Sequence, residues 1–215
     1  MTNRIKQLLS RTPLGPMLRR QHAKRVIEQW DRDGRPTPPP HEIKQQAVLD
    51  LAHRAHTHTL IETGTFYGEM IEAMRRHFRR LYSIEIQPEL ATKAQQRFAK
   101  YPHITVLQGD SATALAQVVK TLSEPCLFWL DGHYSGGVTG RGVLDSPIAQ
   151  ELSTIFAHPV RDHVVLIDDA RCFNGTEGYP TLEELRSLVK QERPEWAFEV
   201  KDDIIRCGPA VIRST

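Results

Sequence analysis

Leu60-Ile61-Glu62-Thr63-Gly64-Thr65-Phe66-Tyr67-Gly68 decides the fold. Two apolar residues run into a carboxylate, a loop with two glycines follows, and residues 69–80 read as a helix. A buried parallel strand delivers its C-terminal end to a nucleotide-like ligand in this way. The glycines let the backbone turn sharply and let the ligand approach closely, and the helix aims its first amides at it. Against the pattern G-x-G-x-x-G the middle glycine is missing, because Phe66 stands there. The meaning of the stretch therefore depends on the other strand ends.

Downstream, β and α signals alternate. Strands are expected over 58–62, 80–85, 104–107, 126–130 and 163–167, with helices over 88–100, 111–122 and 146–157. Arg75, Arg76, Arg79 and Arg80 read as the solvated face of the helix over 69–80. Thr181 and Glu184 form a capping-box pattern at the head of a helix reaching about residue 191. Residues 196–201 and 204–207 read as a hairpin around Asp202-Asp203, prolonged over 210–212. Upstream, Ile43, Val48, Leu51 and Ala52 repeat at helical spacing over 41–56. Such alternation means a Rossmann-like, doubly wound α/β sheet with helices on both faces. His53, His56 and His58 lack a carboxylate or cysteine at ligand spacing and read as solvated or capping side chains rather than a metal site.

The 215 residues divide into an N-terminal arm over 1–40 and a domain over 41–215. The arm holds nine Lys/Arg against three Asp/Glu, so the domain itself is net acidic under an overall charge of +2. Helical signals in the arm end at a linker with Pro38, Pro39 and Pro40, an extended spacer. The arm reads as helices packed on the domain or on a second subunit in a homo-oligomer contact, or as a surface for peripheral contact with an acidic partner or anionic lipid. No aromatic-interleaved basic patch points to nucleic acid. The three cysteines form no CxxC pair, and no apolar run approaches the ~20 residues that span a bilayer. A cytoplasmic location is expected.

The most informative feature is where the acids fall. Glu62, Glu85, Asp110, Asp131 and the pair Asp168-Asp169 each stand at or just past the expected end of a strand. In open α/β sheets ligands bind outside those ends, so the acids describe one site. Glu85, about 20 residues beyond the glycine loop, suits the two hydroxyls of a ribose. Asp110, with Ser111, suits an adenine amino group or a helix cap. Glu62 suits the glycine loop itself or an ammonium. No Arg or Lys stands in residues 62–68, which serves a pyrophosphate poorly. A ligand with a sulfonium and an ammonium is better served, which favours S-adenosylmethionine over NAD.

Glu62-Thr-Gly-Thr-Phe-Tyr-Gly68, Ser83-Ile-Glu85, Gln108-Gly-Asp110 and the final hairpin resemble the class I S-adenosylmethionine-dependent methyltransferases. The resemblance implies a seven-stranded sheet with an antiparallel last strand. It also implies cofactor contacts from Glu62, Gly64, Thr65, Phe66, Tyr67, Gly68, Glu85, Asp110, Ser111 and Asp131. Leu130-Asp-Gly-His-Tyr134 and Leu166-Ile-Asp-Asp-Ala170 are similar to segments of catechol-type and macrocin-type O-methyltransferases. That likeness implies Mg²⁺ held by Asp131, Asp168 and Asp169, with Asp131 and His133 as catalytic residues and His133 as general base. The macrocin-type enzymes are similar to an aspartate at that position, so His133 is a departure. Without a metal, Asp168-Asp169 reads as one substrate-facing acid and one helix cap. The glycine-rich segment over 135–145 reads as a lid, with Arg141, Asp145 and Arg171 as candidate substrate contacts. The expected reaction is O-methylation of a small-molecule hydroxyl of sugar or phenol type. An NAD-dependent oxidoreductase and a non-catalytic binding module are the alternatives.

Overall fold

A computed structural model describes residues 15–131, 147–176 and 178–212. His133, Arg141, Asp145 and the expected lid lie outside the described residues. Five parallel strands, β1 (Thr59–Thr63), β2 (Arg80–Glu85), β3 (Ile104–Gln108), β4 (Leu127–Leu130) and β5 (Val164–Ile167), are joined by a C-terminal hairpin of β6 (Ala197–Lys201) and β7 (Ile204–Gly208). The sheet order is β3-β2-β1-β4-β5-β7-β6, with β7 antiparallel to both its neighbours. The doubly wound sheet with its antiparallel last strand is as expected.

Alternation along the buried strands builds two cores. Ile61, Phe128, Leu130, Val165 and Ile167 face one side. There they meet α5 (Ser111–Val119), α6 (Pro147–Ala157) and α7 (Leu182–Glu192) through Leu115, Leu152 and Leu185. Leu60, Leu81, Trp129 and Leu166 face the other. They pack under α2 (His41–Arg54), α3 (Glu69–Met74) and α4 (Pro88–Phe98) through Val48, Ile71 and Phe98. The period-two pattern of a pleated strand thus serves two helical layers. A one-residue slip would exchange the two sets.

Local signals account for the ends of several elements. Pro88 opens α4 at its first turn. The capping box at α7 is complete, with the Glu184 amide on the Thr181 hydroxyl and the Thr181 amide on the Glu184 carboxylate. Two expectations are corrected. The helix over 69–80 ends at Met74, because Arg79 must donate to the His58 carbonyl at 2.8 Å and Arg80 must enter β2 opposite Thr59. Sheet register overrides helix propensity there, and Arg76, Arg79 and Arg80 sit on an exposed turn and strand start. Residues 210–212 form a 3₁₀ turn and do not prolong the hairpin. Pro209 before them has no amide to give a ladder.

The helix α1 (Gly15–Arg32) falls within residues 1–40. Trp30 is buried, donates from Nε1 to the Pro36 carbonyl at 2.7 Å and lies under the Arg35 guanidinium. Arg35 in turn reaches Asp202 at 3.0 Å, in the hairpin turn. No helix among the described residues is long and apolar enough to cross a membrane.

Trp129 is the largest fully buried side chain and sits on the strand beside the site. Trp129→Ala is expected to cost roughly 3–5 kcal/mol of stability, read as a shifted urea midpoint at unchanged slope.

Candidate active site

Strand order reverses between β1 and β4: the chain runs outward to β3 and returns to β4. Ligands of open α/β sheets bind at such a reversal. Backbone bonds continue the sheet past its strand ends here. Gly64 donates to the Ile84 carbonyl at 2.9 Å and Asp131 to the Thr63 carbonyl at 3.0 Å. Asp168 donates to the Leu130 carbonyl at 3.0 Å. Those bonds bring Glu85, Gly64, Asp131 and Asp168 level along one edge, on strands ~4.8 Å apart, with Glu62 two residues back inside β1.

The glycine loop is tied down from Glu85. Its carboxylate accepts the Phe66 amide at 2.7 Å and the Gln87 amide at 3.0 Å. A carboxylate has about four acceptor positions, so each oxygen keeps one for a ligand. Phe66 has φ 47°, the left-handed region that favours glycine. The geometry of the missing glycine is therefore present, enforced by the bond to Glu85. Gly68 has φ 71° and fits against the Phe98 ring, where an added Cβ would stand 2.7 Å from a ring carbon. Arg97 fixes the loop from α4, donating to the Tyr67 carbonyl at 2.6 Å. The Phe66 and Tyr67 rings are exposed and touch, with centroids 4.0 Å apart.

Glu62 lies inside β1, not past its end, level with Ser83 and Trp129. It is buried and accepts the Ser83 hydroxyl at 2.6 Å, and Ser83 in turn contacts the Thr65 hydroxyl at 2.6 Å. Burial pushes the Glu62 carboxyl up to about 8. The Ser83 bond draws it back in part, and the charges of Asp131 and Glu85 add to the rise. Asp110 is the N-cap of α5 and accepts the Ala112 amide at 3.0 Å, so its capping role is filled, and Ser111 opens the helix.

At the far end of the row the acids have cationic partners. Asp168 is fully buried, accepts the Asp169 amide at 2.9 Å and holds the Lys44 ammonium in a short ion pair. Burial raises the Asp168 carboxyl while Lys44 pulls it down. Burial also works against the Lys44 charge, but the bond and charge of Asp168, then the charges of Asp131 and Asp169, raise the ammonium above its ordinary range. Asp169, at φ 53°, accepts the Arg171 guanidinium at 2.7 Å and lies 3.8 Å from Lys44. It opens a 3₁₀ turn over Ala170–Cys172 without a side-chain capping bond. Arg171 is also bound to Asp203 of the hairpin turn, so it braces the site from within.

The acids implied for Mg²⁺ do not fit a divalent ion in this arrangement. Asp168 is in use by an ammonium and an amide, and Asp169 by a guanidinium. Among the described residues no group of three or more His, Cys, Asp and Glu is gathered that would hold a metal. Lys44 and His41, both on the first turns of α2, were missed from the sequence. His41 is half-buried, bonded to Gln45 at 2.6 Å, and its pKa is lowered mainly by burial. The available signal was helical spacing: Lys44, Val48 and Leu51 continue one stripe, and that stripe faces the sheet.

No family model and no curated protein matches the sequence. Solved structures do match. The chain is similar to an O-methyltransferase from Bacillus cereus in complex with SAH, at 14% identity and TM-score 0.56, over 95% of this chain and 96% of that one. It is similar to the SAH-bound Podospora anserina methyltransferase PaMTH1, at 17% identity and TM-score 0.54, over 85% and 86%. The N-methyltransferase NodS from Bradyrhizobium japonicum WM9 follows at 14% and TM-score 0.51, over 80% and 98%. The fold is that of the class I S-adenosylmethionine-dependent methyltransferases.

Gly68→Ala would put a side chain at a left-handed position against a buried ring. It is expected to lower stability by about 1–3 kcal/mol, read by thermal denaturation. An unchanged melting temperature would show that the loop is not held as described.

Proposed function

We propose that the protein transfers a methyl group from S-adenosylmethionine to a hydroxyl of a small molecule of sugar or phenol type. One observation carries the cofactor reading: the carboxylates of Glu62 and Glu85 flank a glycine loop that itself contributes no cation. Such a rim has no cation of its own for a pyrophosphate, and Glu62, held neutral by burial, can ionise towards an arriving ammonium. In this reading Glu85 receives the ribose hydroxyls, and Asp110 and Ser111 border the adenine. Gly64, Thr65, Phe66, Tyr67 and Gly68 wrap the methionine portion, and Glu62 faces its ammonium. The hydroxyl acceptor is supported by the likeness of the segments around Asp131 and Asp168 to O-methyltransferases, and by the Bacillus cereus structure.

The chemistry asks little of the protein. The acceptor oxygen attacks the methyl carbon in line, and the carbon–sulfur pair returns to sulfur. Alignment of the two reactants supplies most of the rate. Asp131, half-exposed at the strand reversal between cofactor loop and acids, suits the border of cofactor and acceptor. His133, two residues on, is proposed as the base that takes the hydroxyl proton.

Two measurements test the cofactor site. Glu85→Ala is expected to weaken SAH binding by about 10- to 100-fold, as loss of charge-assisted hydrogen bonds does, in calorimetric titration. Stabilisation of the wild-type chain by NAD and not by SAH would overturn the reading.

Glu62 gives a proton signature. Its folded pKa is raised, so it stays neutral while the unfolded chain ionises above 4.5. Its contribution to stability is full at low pH and is lost as pH rises from 4.5 towards about 8. A bound ammonium would favour the charged form. Binding of SAH at neutral pH is thus expected to release roughly one proton, seen as a dependence of binding heat on buffer ionisation enthalpy, and Glu62→Gln should abolish it. Buffer-independent heats would remove Glu62 from the ammonium site.

A further inference from the structure

The acids at the ends of β4 and β5 have a cation of their own, and it comes from far away in the chain. Lys44 and Asp168 are 124 residues apart. They meet because α2 lies on the sheet through Ala47, Val48, Leu51 and Ala52. Lys44 stands one turn before Val48 on that stripe. Its aliphatic stem continues the apolar face, and its ammonium emerges where the strands end. The side chain is 16% exposed and that of Asp168 1%.

The charges around this ammonium are those a metal site would need. Asp168 is in contact with it, Asp169 lies at 3.8 Å, and Asp131 is near enough for its charge to act on it. Hard divalent cations take such oxygen donors. An ammonium differs in two respects. It brings one charge where the ion brings two, and it offers directed N–H donors where the ion offers open coordination positions. With Lys44 seated, an entering divalent ion would meet a like charge and an Asp168 oxygen already in use.

We propose that the Lys44 ammonium takes the place of a divalent cation beside Asp168 and Asp169, so that the acceptor is oriented by a covalently attached cation and the protein needs no metal at this position. This rests on the methyltransferase reading for the word acceptor. Lys44 is then a positioning residue. Asp168 and Asp169 hold it at the strand ends, and its remaining donors point an acceptor oxygen towards the cofactor side of the row.

The test uses the full chain and Mn²⁺ as probe, read by electron paramagnetic resonance and by calorimetry, with SAH affinity followed in parallel. The wild-type chain is expected to show no saturable Mn²⁺ binding up to roughly 1 mM. Lys44→Ala is expected to gain one Mn²⁺ site at least about tenfold tighter than that limit. Adding Asp168→Asn to Lys44→Ala should remove the site again. Lys44→Met, which keeps the stem and removes the charge, carries the same expectation and serves if Lys44→Ala does not fold. Saturable Mn²⁺ binding to the wild type that Asp168→Asn abolishes would overturn the proposal. So would absence of binding in every variant, because the acids would then not be a cation site at all. Failure of SAH to bind the wild-type chain would sink the methyltransferase reading, and the Mn²⁺ result would still stand by itself.

Discussion

The register of β1 between β2 and β4 is the constraint on which the site depends. Glu62 is level with Ser83 on one side and Trp129 on the other. The same register puts Gly64 under the Ile84 carbonyl and Asp131 under Thr63. It therefore fixes the glycine loop, the buried acid and the acid of the neighbouring strand together. The pleat gives each strand one residue to each helical layer, so the packing of Leu60 and Ile61 into separate cores enforces this alignment. Hydrophobic contacts set the register, and the register sets the chemistry.

A group of acids at neighbouring strand ends is costly to bury, and the protein meets the cost differently at each end. Near the loop, Glu62 stays neutral and shares a hydroxyl chain with Ser83 and Thr65. Farther along, Asp168 and Asp169 take Lys44 and Arg171. Glu85 directs one oxygen to the Phe66 amide of the glycine loop and the other to the Gln87 amide just before α4. The end beside the glycine loop thus remains open to an incoming positive charge, and the other end already has one. On the proposed reading, this division suits a cationic cofactor on one side of the reversal and a hydroxyl acceptor on the other.

Fold and site were legible to different depths. Apolar runs and turn signals revealed the strands, because burial on both faces writes itself as short β-branched and leucine-rich segments. The acids at strand ends were visible for the same reason. Helix ends were less so: nothing in Arg75-Arg76-His77 stops a helix locally, and only the pairing of Arg79 and Arg80 with the first strand does. Phe66 looked like a defect because sequence shows residue type and not φ. Lys44 was hidden by distance. Its partner lies across the chain, and only the docking of α2 brings the two together.

The turn Asp202-Asp203 is an uncommon pair for a hairpin, and both residues have positive φ. The Asp203 carbonyl accepts the Ala170 amide, and its carboxylate takes Arg171 by backbone and side chain. The turn is thus a clamp on the segment that carries Asp168 and Asp169. This has a consequence for the order of assembly during synthesis. The chain emerges N-terminus first, so cofactor loop, Lys44 and both acids are made before the residue that clamps them. β7 must also enter the sheet between β5 and the strand that precedes it in sequence. Until β7 is made, the segment that carries Asp168 and Asp169 has its charges but not the Asp203 clamp.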